Sequence, residues 1–389
     1  MGQENSQAHR FRCRNCKEEI AIRMLVDYEK ISTEIVCDLN GELTDAPASS
    51  PIVNVDANFV VPEGEHEMDF NVARLQQIHA MATAAEKAGR TVSVPLRTPD
   101  AKMPRPFRRP DYLGEWDQVK KAWSLARNGM QKLSEERVRQ ASAKLYPTDP
   151  LQGLPDWLWR LALLLCNPAY EARFRDTVSL LVSLKDDENF KGLKAWFTPA
   201  LRKVRAQRYY DALNEFFDLY DEFSQVYFYV AKEIDLPPDY KAISAGFDRV
   251  KMFYGNMFER FASSVDLLAY VGNIKNGRPY DQFERLTNHE YLRLDKAGRF
   301  AAFEKISALG NICEEADSQL RNASHHNGMT FDEGTQIISY RSGKGGMGPA
   351  QQLEYVRYLE RCVRIFLQLM TLLRIELILC QQFNVSAPV

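Results

Sequence analysis

The amino-acid sequence predicts an α+β fold that is mainly α, with a small β-rich N-terminal module, a helical region and a C-terminal helical bundle. Two observations support this prediction. In roughly the first ninety residues, short stretches of alternating apolar and polar residues are separated by turn-forming residues, which is typical of strands. From residue 111 onwards, apolar residues recur at steps of three and four, which is typical of helices that bury one face. The predicted parts are a β-rich module with a short helix over 1–94, a linker over 95–110, a helical middle region over 111–240 and a helical bundle over 241–389.

The composition is that of an ordinary globular protein with reduced thiols. Apolar residues make up 45% and charged residues 26%, so extensive disorder is not expected. The net charge of −2 means that any contact with nucleic acid requires a local basic patch. Seven cysteines without regular spacing do not indicate a disulfide framework. Since the polar N-terminus lacks a secretory segment, and charges interrupt the apolar run Cys362 to Cys380, we expect a cytoplasmic protein that does not associate with membranes.

The N-terminal module carries a pair of cysteines two residues apart, Cys13 and Cys16. The stretch around them, Phe11 to Ile20, resembles a zinc-ribbon knuckle, in which two thiolates point at one metal. Cys37 is the candidate third ligand. No spacing argument selects the fourth ligand from His9, Asp38 and His66. Because the sequence lacks a second CxxC or CxxH pair, it favours a metal-free ribbon over a bound structural zinc.

The rest of the module predicts two strands and one helix. The strands fall near Ile31 to Cys37 and Ile52 to Val61, and the helix covers Arg74 to Ala88. The segment 95–110 that follows holds five prolines and five basic residues, so it cannot form a regular helix. We interpret it as a linker at a domain boundary. A basic strap that lies along a phosphate backbone is the alternative.

Long amphipathic helices account for most of the remaining chain. The last helix is apolar on more than one side, so either the middle region or a second copy of the chain must cover it. Pro237 is expected to end the third helix. The predicted helices cover Glu115 to Leu145, Pro155 to Leu165, Leu213 to Ile234, Phe247 to Val271, Ile306 to Ala323 and Val356 to Cys380.

The best indication of chemistry is the run Gln319 to Gly328, which places an arginine, a polar residue and two histidines at the end of a predicted long helix. Arg321, followed by Asn322 and closed by His326 after four intervening positions, resembles the R-x4-6-H signature of the HEPN superfamily (higher eukaryotes and prokaryotes nucleotide-binding). The neighbouring His325 is a further candidate. The resemblance covers roughly 246–383 and implies a HEPN-like helical bundle. Many members of that family are metal-independent ribonucleases.

These residue types suit RNA cleavage without a metal. Histidine titrates near neutral pH and serves as base or acid. Arginine keeps its charge and presents a planar fork that matches phosphate oxygens. The resemblance also implies a homodimer in which two motifs meet, and an acidic or polar residue from an earlier helix. Glu259 and Asp266 are the candidates for that residue.

The glycine-rich segment Ser342 to Gly348 is not a P-loop, because Gly345 occupies the Ser/Thr position of that motif. We interpret it as a turn after an extended run over Thr335 to Arg341. Arg341 and Lys344 are candidate RNA-binding residues there.

The resemblance thus implies a metal-independent endoribonuclease that cuts tRNA or other cellular RNA and needs no catalytic cofactor. Proteins that look like this are often toxins or anti-phage defence effectors, so a regulatory or antitoxin protein is a candidate partner besides RNA. The alternative is a non-catalytic nucleic-acid-binding protein or dimeric scaffold with an inactive HEPN-like domain.

Overall fold

The computed structural model describes most of the chain outside the segment between residues 44 and 112. The described ranges are 6–13, 16–27, 32–44, 112–146, 151–237, 240–242, 246–325, 328–343 and 347–389. The fold is α+β and mainly α, as predicted. The chain divides into two compact units, 1–107 and 108–389.

The first unit contains a three-stranded antiparallel sheet in the order β1-β2-β3. Its strands are β1 (Ser6–Arg12), β2 (Glu19–Asp27) and β3 (Ser32–Leu39). The predicted strand near Ile31 to Cys37 is therefore confirmed. The strand predicted over Ile52 to Val61, the helix over Arg74 to Ala88 and the linker over 95–110 lie outside the described residues.

The second unit is built from helices and one small sheet. The helices that matter below are α1 (Tyr112–Arg127), α2 (Gln131–Leu145), α3 (Leu154–Cys166), α4 (Glu171–Leu184), α5 (Glu188–Gly192), α6 (Pro199–Asp218), α7 (Tyr220–Lys232), α8 (Phe247–Val250), α9 (Phe253–Ala262), α10 (Asp266–Lys275), α11 (Asn288–Arg293), α12 (Ser307–Gly310), α13 (Ser318–His325) and α14 (Tyr355–Gln382). Short 3-10 segments cover Leu193–Trp196, Gly298–Ala302 and Asn311–Cys313.

The predictions for α3 and α14 are confirmed, but four predicted helices are each broken into two or more pieces. The first breaks because Gly129, with φ +77°, ends α1 in a Schellman turn closed by the bonds Gly129 N–H to Ala126 O and Met130 N–H to Leu125 O. The third is interrupted at Leu219. It ends at Lys232 rather than at Pro237, because Glu233 adopts the left-handed conformation.

The other two broken helices flank the candidate site. The helix predicted over Phe247 to Val271 becomes α8, α9 and α10. Between the last two of these helices, Ser264 donates its hydroxyl to Arg260 O at 2.9 Å, and its backbone N–H bonds Phe261 O. The helix predicted over Ile306 to Ala323 becomes α12, a 3-10 turn and α13, so the motif lies on an eight-residue helix and not at the end of a long one.

Helix α14 forms the centre of the second unit. Apolar residues on all sides of this helix are buried. Several outside its main apolar stripe have no exposed area, namely Ile365, Leu367, Leu369, Leu372 and Ile375. Helices α3, α4, α6, α7 and α9 pack around it. Helices of the same chain, including those of the middle region, therefore bury these apolar residues of α14. Burial of α14 does not require a second copy, and the homodimer stays a prediction.

A buried ionic cluster ties α14 to α6 and α10. Arg205, fully buried, donates Nε to Glu376 Oε2 at 2.6 Å and Nη1 to Asp266 Oδ1 at 2.9 Å. Tyr209 donates its hydroxyl to the same Glu376 oxygen at 2.7 Å. Arg205 thus supplies the positive charge that balances two buried carboxylates.

The second sheet follows the motif helix. It is antiparallel in the order β4-β5-β6, with β4 (Met329–Asp332), β5 (Ile337–Arg341) and β6 (Ala350–Glu354). Strand β5 confirms most of the extended run that the sequence predicts over Thr335 to Arg341. The sheet leads directly into α14, since the Tyr355 N–H donates to Gln336 O at 2.8 Å.

Candidate functional site

The motif helix α13 is fixed at its N-terminal end by several polar contacts. Asp317 caps it, because its Oδ1 accepts from the backbone N–H groups of Gln319 and Leu320 at 2.7 and 3.0 Å. The other carboxylate oxygen of Asp317 accepts from Arg361 of α14 at 3.0 Å. The Tyr254 hydroxyl accepts from the Asp317 N–H at 2.9 Å. These bonds orient α13 against both α9 and α14.

Helix α13 packs against α9, and Ser324 lies at the contact. The buried Ser324 hydroxyl donates to Lys251 O and accepts from the Gly255 N–H at 3.2 Å. Gly255 lies directly under the imidazole of His325: a Cβ at this position would stand 2.2 Å from Cδ2 and 2.5 Å from Nε2 of the ring. A residue without a side chain is therefore needed for the ring to lie where it does.

Arg321 is held by two side chains. Its Nη2 donates to Glu259 of α9, and its Nη1 donates to Asn322 Oδ1 at 2.7 Å. The Arg321 and Glu259 side chains are each 28% exposed, so solvent and a ligand can still reach the ion pair. Of the two candidates for an acidic residue from an earlier helix, Glu259 is the one that contacts Arg321. The other candidate, Asp266, is bound to Arg205 in the buried cluster instead.

A chain of hydrogen bonds that begins on α6 reaches His325. Asn256 Nδ2 donates to Glu215 Oε1 at 2.8 Å, and Arg260 pairs with the other oxygen of the same carboxylate. Since Glu215 can only accept, Asn256 must turn its Nδ2 towards it and its Oδ1 towards His325 Nε2, 3.3 Å away. An amide oxygen also only accepts, so Nε2 of His325 carries a proton. In the neutral ring the lone pair is then on Nδ1.

Arg321 and His325 are four residues apart on α13, so they share one face of that helix. Their partners Glu259 and Asn256 are three residues apart on α9. The sequence analysis missed Asn256, Gly255 and Glu215. The available signal was a set of polar residues at helical spacing within the otherwise apolar stretch from Phe253 to Ala262. We call the group Glu215, Asn256, Glu259, Arg321, Asn322 and His325 the polar centre.

Of the other predicted site residues in this region, the structure describes only Arg341. His326, which matches the family signature, and Lys344 lie outside the described residues. Arg341 is exposed at the end of β5, paired in register with Ala350. The turn after it contacts the motif helix, because the Gly343 N–H donates to Gln319 Oε1. Gly343 has φ +81°, which explains why a glycine is needed there.

The cysteine pair lies at the turn between β1 and β2, where a knuckle is expected. The Lys17 N–H donates to Cys13 O at 3.0 Å, and the Cys13 N–H donates to Glu18 O at 2.8 Å. Cys37 lies opposite Ile22, four residues beyond Glu18, which corresponds to about 13 Å along the strands. The register therefore keeps Cys37 away from the pair. Within the ranges the structure describes, no three His, Cys, Asp or Glu side chains form a metal-binding group. Whether zinc binds stays an open prediction.

Comparisons of the chain with protein-family models, with curated proteins and with solved structures give no match. The HEPN and zinc-ribbon resemblances therefore rest on the residues quoted above. Among the described residues, no helix combines the length and apolar character needed to span a membrane.

Proposed function

We propose that this protein is a metal-independent endoribonuclease of HEPN type, with its active site at the polar centre. The observation that supports this most strongly is the pairing of α13 with α9. Arg321 and His325 lie on one helical face, and each is held by a different polar side chain of the opposing helix. Catalytic groups must be held close to one geometry, and these contacts hold both side chains from the opposing helix.

The polar centre can supply what RNA cleavage through the 2′-hydroxyl needs. His325 can take the 2′-hydroxyl proton at Nδ1, because its contact with Asn256 keeps the proton on Nε2. Arg321 can bind the phosphate that gains charge during attack. Asn322 accepts from Arg321 Nη1 and so fixes the plane of the guanidinium. His326, the residue after His325, is proposed as the second titrating group, which protonates the leaving 5′-oxygen.

Glu259 neutralises Arg321 in the protein without RNA, and a phosphate must compete with it. A two-fold dimer that joins two motifs is part of the proposal, because one arginine and its histidines are a small set of groups for this reaction. Further proposals are that the substrate is tRNA or another cellular RNA, and that the protein acts as a toxin or anti-phage effector under the control of a partner protein.

The proposal is tested by incubating the purified full-length protein with total RNA. We expect cleavage by the wild type and by the control Arg175→Ala, which removes an exposed arginine of α4. The Arg321→Ala variant should lose cleavage while its circular dichroism spectrum is unchanged. Parallel variants His325→Ala and His326→Ala assign the two histidines, with the exposed His289→Ala as their control.

Two results would contradict the proposal. One is an Arg321→Ala variant that cleaves like the wild type. The other is a folded wild-type protein that leaves RNA intact, alone and with candidate activators. Retained RNA binding in the second case would instead support the non-catalytic nucleic-acid-binding protein.

A further inference from the structure

Three cationic side chains gather beside the polar centre, at the C-terminal end of α9. Arg208 of α6 donates Nη1 to the backbone oxygen of Ser263 at 2.6 Å, and Lys296 donates Nζ to the hydroxyl of the same residue at 2.5 Å. Ser263 is the residue at which α9 ends. Arg299 completes the group, three residues after Lys296. We call Arg208, Lys296 and Arg299 the basic cluster.

The positive charges of the basic cluster are not paired directly with carboxylates, although Asp266 and Glu376 act on Arg208, and Glu259 and Asp266 act on Lys296, from a greater distance. Their hydrogen-bond acceptors are neutral: Ser263 for Arg208 and Lys296, and the backbone oxygen of Leu292 for Arg299. Within the described chain, none of the three makes an ion pair, whereas the neighbouring Arg205, Arg260 and Arg321 all do. Arg299 Nε is also buried without a hydrogen-bond partner. The local excess of positive charge stands out in a chain whose net charge is −2.

The three side chains are half-buried and close enough to repel one another. Burial and the positive charges of Arg299 and Arg208 lower the pKa of Lys296 below its ordinary value. Burial and the charge of Arg205 likewise lower the pKa of Arg208. The nearby carboxylates offset these effects only in part, since the pKa of both side chains is still lowered, and a bound anion would relieve the remaining repulsion.

The basic cluster adjoins the candidate catalytic arginine. Ser263 follows Glu259, the partner of Arg321, by four residues, which is about one helical turn or 6 Å along α9. We propose that the basic cluster binds the RNA backbone next to the bond that is cut, with Arg208 and Lys296 on a phosphate adjacent to the one at Arg321. This inference rests on the proposed function for its substrate class. The cluster itself is identified independently of the motif.

A purely structural role makes the opposite prediction. Cations near the C-terminal end of a helix stabilise it through the helix dipole. If capping α9 were their only role, neutralising Arg208 or Lys296 would lower the melting temperature and leave RNA binding unchanged. If the cluster binds phosphate, neutralisation weakens RNA binding whatever its effect on the melting temperature, so RNA affinity is the measurement that separates the two roles.

The test measures RNA affinity without cleavage. The probe is a single-stranded 2′-O-methyl RNA oligonucleotide of about ten nucleotides, which lacks the nucleophilic hydroxyl, and binding is followed by fluorescence anisotropy at several salt concentrations. The full-length variants are Arg208→Gln, Lys296→Gln and the double variant. Arg175→Gln and Lys132→Gln, at exposed positions outside the cluster, serve as controls.

Each neutralised contact is expected to weaken binding several-fold and to reduce the slope of log affinity against log salt by about 0.7. The controls should bind like the wild type. Inorganic phosphate should compete with the oligonucleotide for the wild type and have less effect on the double variant. Unchanged affinity and salt slope in the double variant would overturn the inference. So would a phosphate effect without any change in oligonucleotide affinity, which would indicate a site for small anions only.

The same variants separate this inference from the proposed function. Binding that depends on the basic cluster, in a protein that never cleaves RNA, would support the inference and contradict the ribonuclease. If cleavage depends on Arg321 but RNA affinity is unchanged in the Arg208 and Lys296 variants, the result would support the ribonuclease and contradict the inference.

Discussion

The substitution Gly255→Ala tests the geometry of the polar centre without replacing any side chain that takes part in the proposed chemistry. The added Cβ would lie 2.2 Å from Cδ2 of His325, against ordinary carbon contacts of about 3.5–4.0 Å. The imidazole must therefore withdraw by roughly 1–1.5 Å, which breaks its contact with Asn256. Misplacement of a catalytic group by about 1 Å lowers the rate on the order of 100-fold.

The effect of Gly255→Ala on stability should be much smaller than its effect on activity. Alanine is favoured over glycine inside a helix by about 1 kcal/mol, while overpacking costs about 1–3 kcal/mol. We expect a net destabilisation of no more than about 2 kcal/mol, so the variant stays folded. The matched control is Gly192→Ala at the end of α5, where the backbone is helical and an added Cβ meets no atom within 4 Å.

The assay is the single-turnover cleavage of an RNA oligonucleotide, together with urea unfolding of each variant. Gly192→Ala should cleave like the wild type. In the double variant Gly255→Ala/His325→Ala, the clash is gone, so stability should return to that of His325→Ala or higher while activity stays low. A folded Gly255→Ala variant that cleaves at the wild-type rate would refute the role of the His325 position.

Three further predictions concern other parts of the protein. Arg205→Met should lower the free energy of unfolding by about 3–5 kcal/mol, because Glu376 is left buried without its partner; urea unfolding that matches the wild type would contradict this. Burial opposes ionisation of Glu360, but hydrogen bonds from Arg357 and Arg364 outweigh it and hold its pKa below the ordinary value. The contribution of the ionised Glu360 to the free energy of unfolding is therefore complete above the unfolded pKa of about 4.3 and is lost as the pH falls through the folded pKa. The wild type should lose its stability advantage over Glu360→Gln on acidification below about pH 4.3. A difference in the free energy of unfolding that does not change with pH would be evidence against the pairing. RNA cleavage should persist in EDTA and leave 2′,3′-cyclic phosphate ends, since imidazole and guanidinium groups carry the proposed reaction; loss of cleavage on chelation in a folded protein would count against the mechanism.

Sequence patterns predicted the type of each part of the fold better than its continuity. The helix α14 was predicted correctly over its whole length, because a long apolar helix at the centre of a bundle has a strong periodic signal. The break at Leu219 and the eight-residue α13 were not predicted. The start of α13 is set by contacts such as that of Asp317 with Arg361, which periodicity does not reveal.

Only part of the candidate site was predicted, because the other residues come together through tertiary contacts. The run from Arg321 to His326 carries a recognisable spacing, and Glu259 was already a candidate for its partner. Asn256 and Gly255 are identified only when α9 is seen to pack against α13. The basic cluster was missed because Arg208 and Lys296 lie 88 positions apart in the sequence and meet only at Ser263.

The most direct test of the account is a double-mutant cycle on Arg321 and His325. The single variants Arg321→Ala and His325→Ala and their combination are compared with the wild type in single-turnover RNA cleavage, with folding checked for each protein. If both side chains act in one site, the double variant should be hardly slower than the slower single variant, because the second loss removes nothing that still functions. Losses that multiply independently, or a His325→Ala variant as active as the wild type, would contradict a shared catalytic centre between α9 and α13.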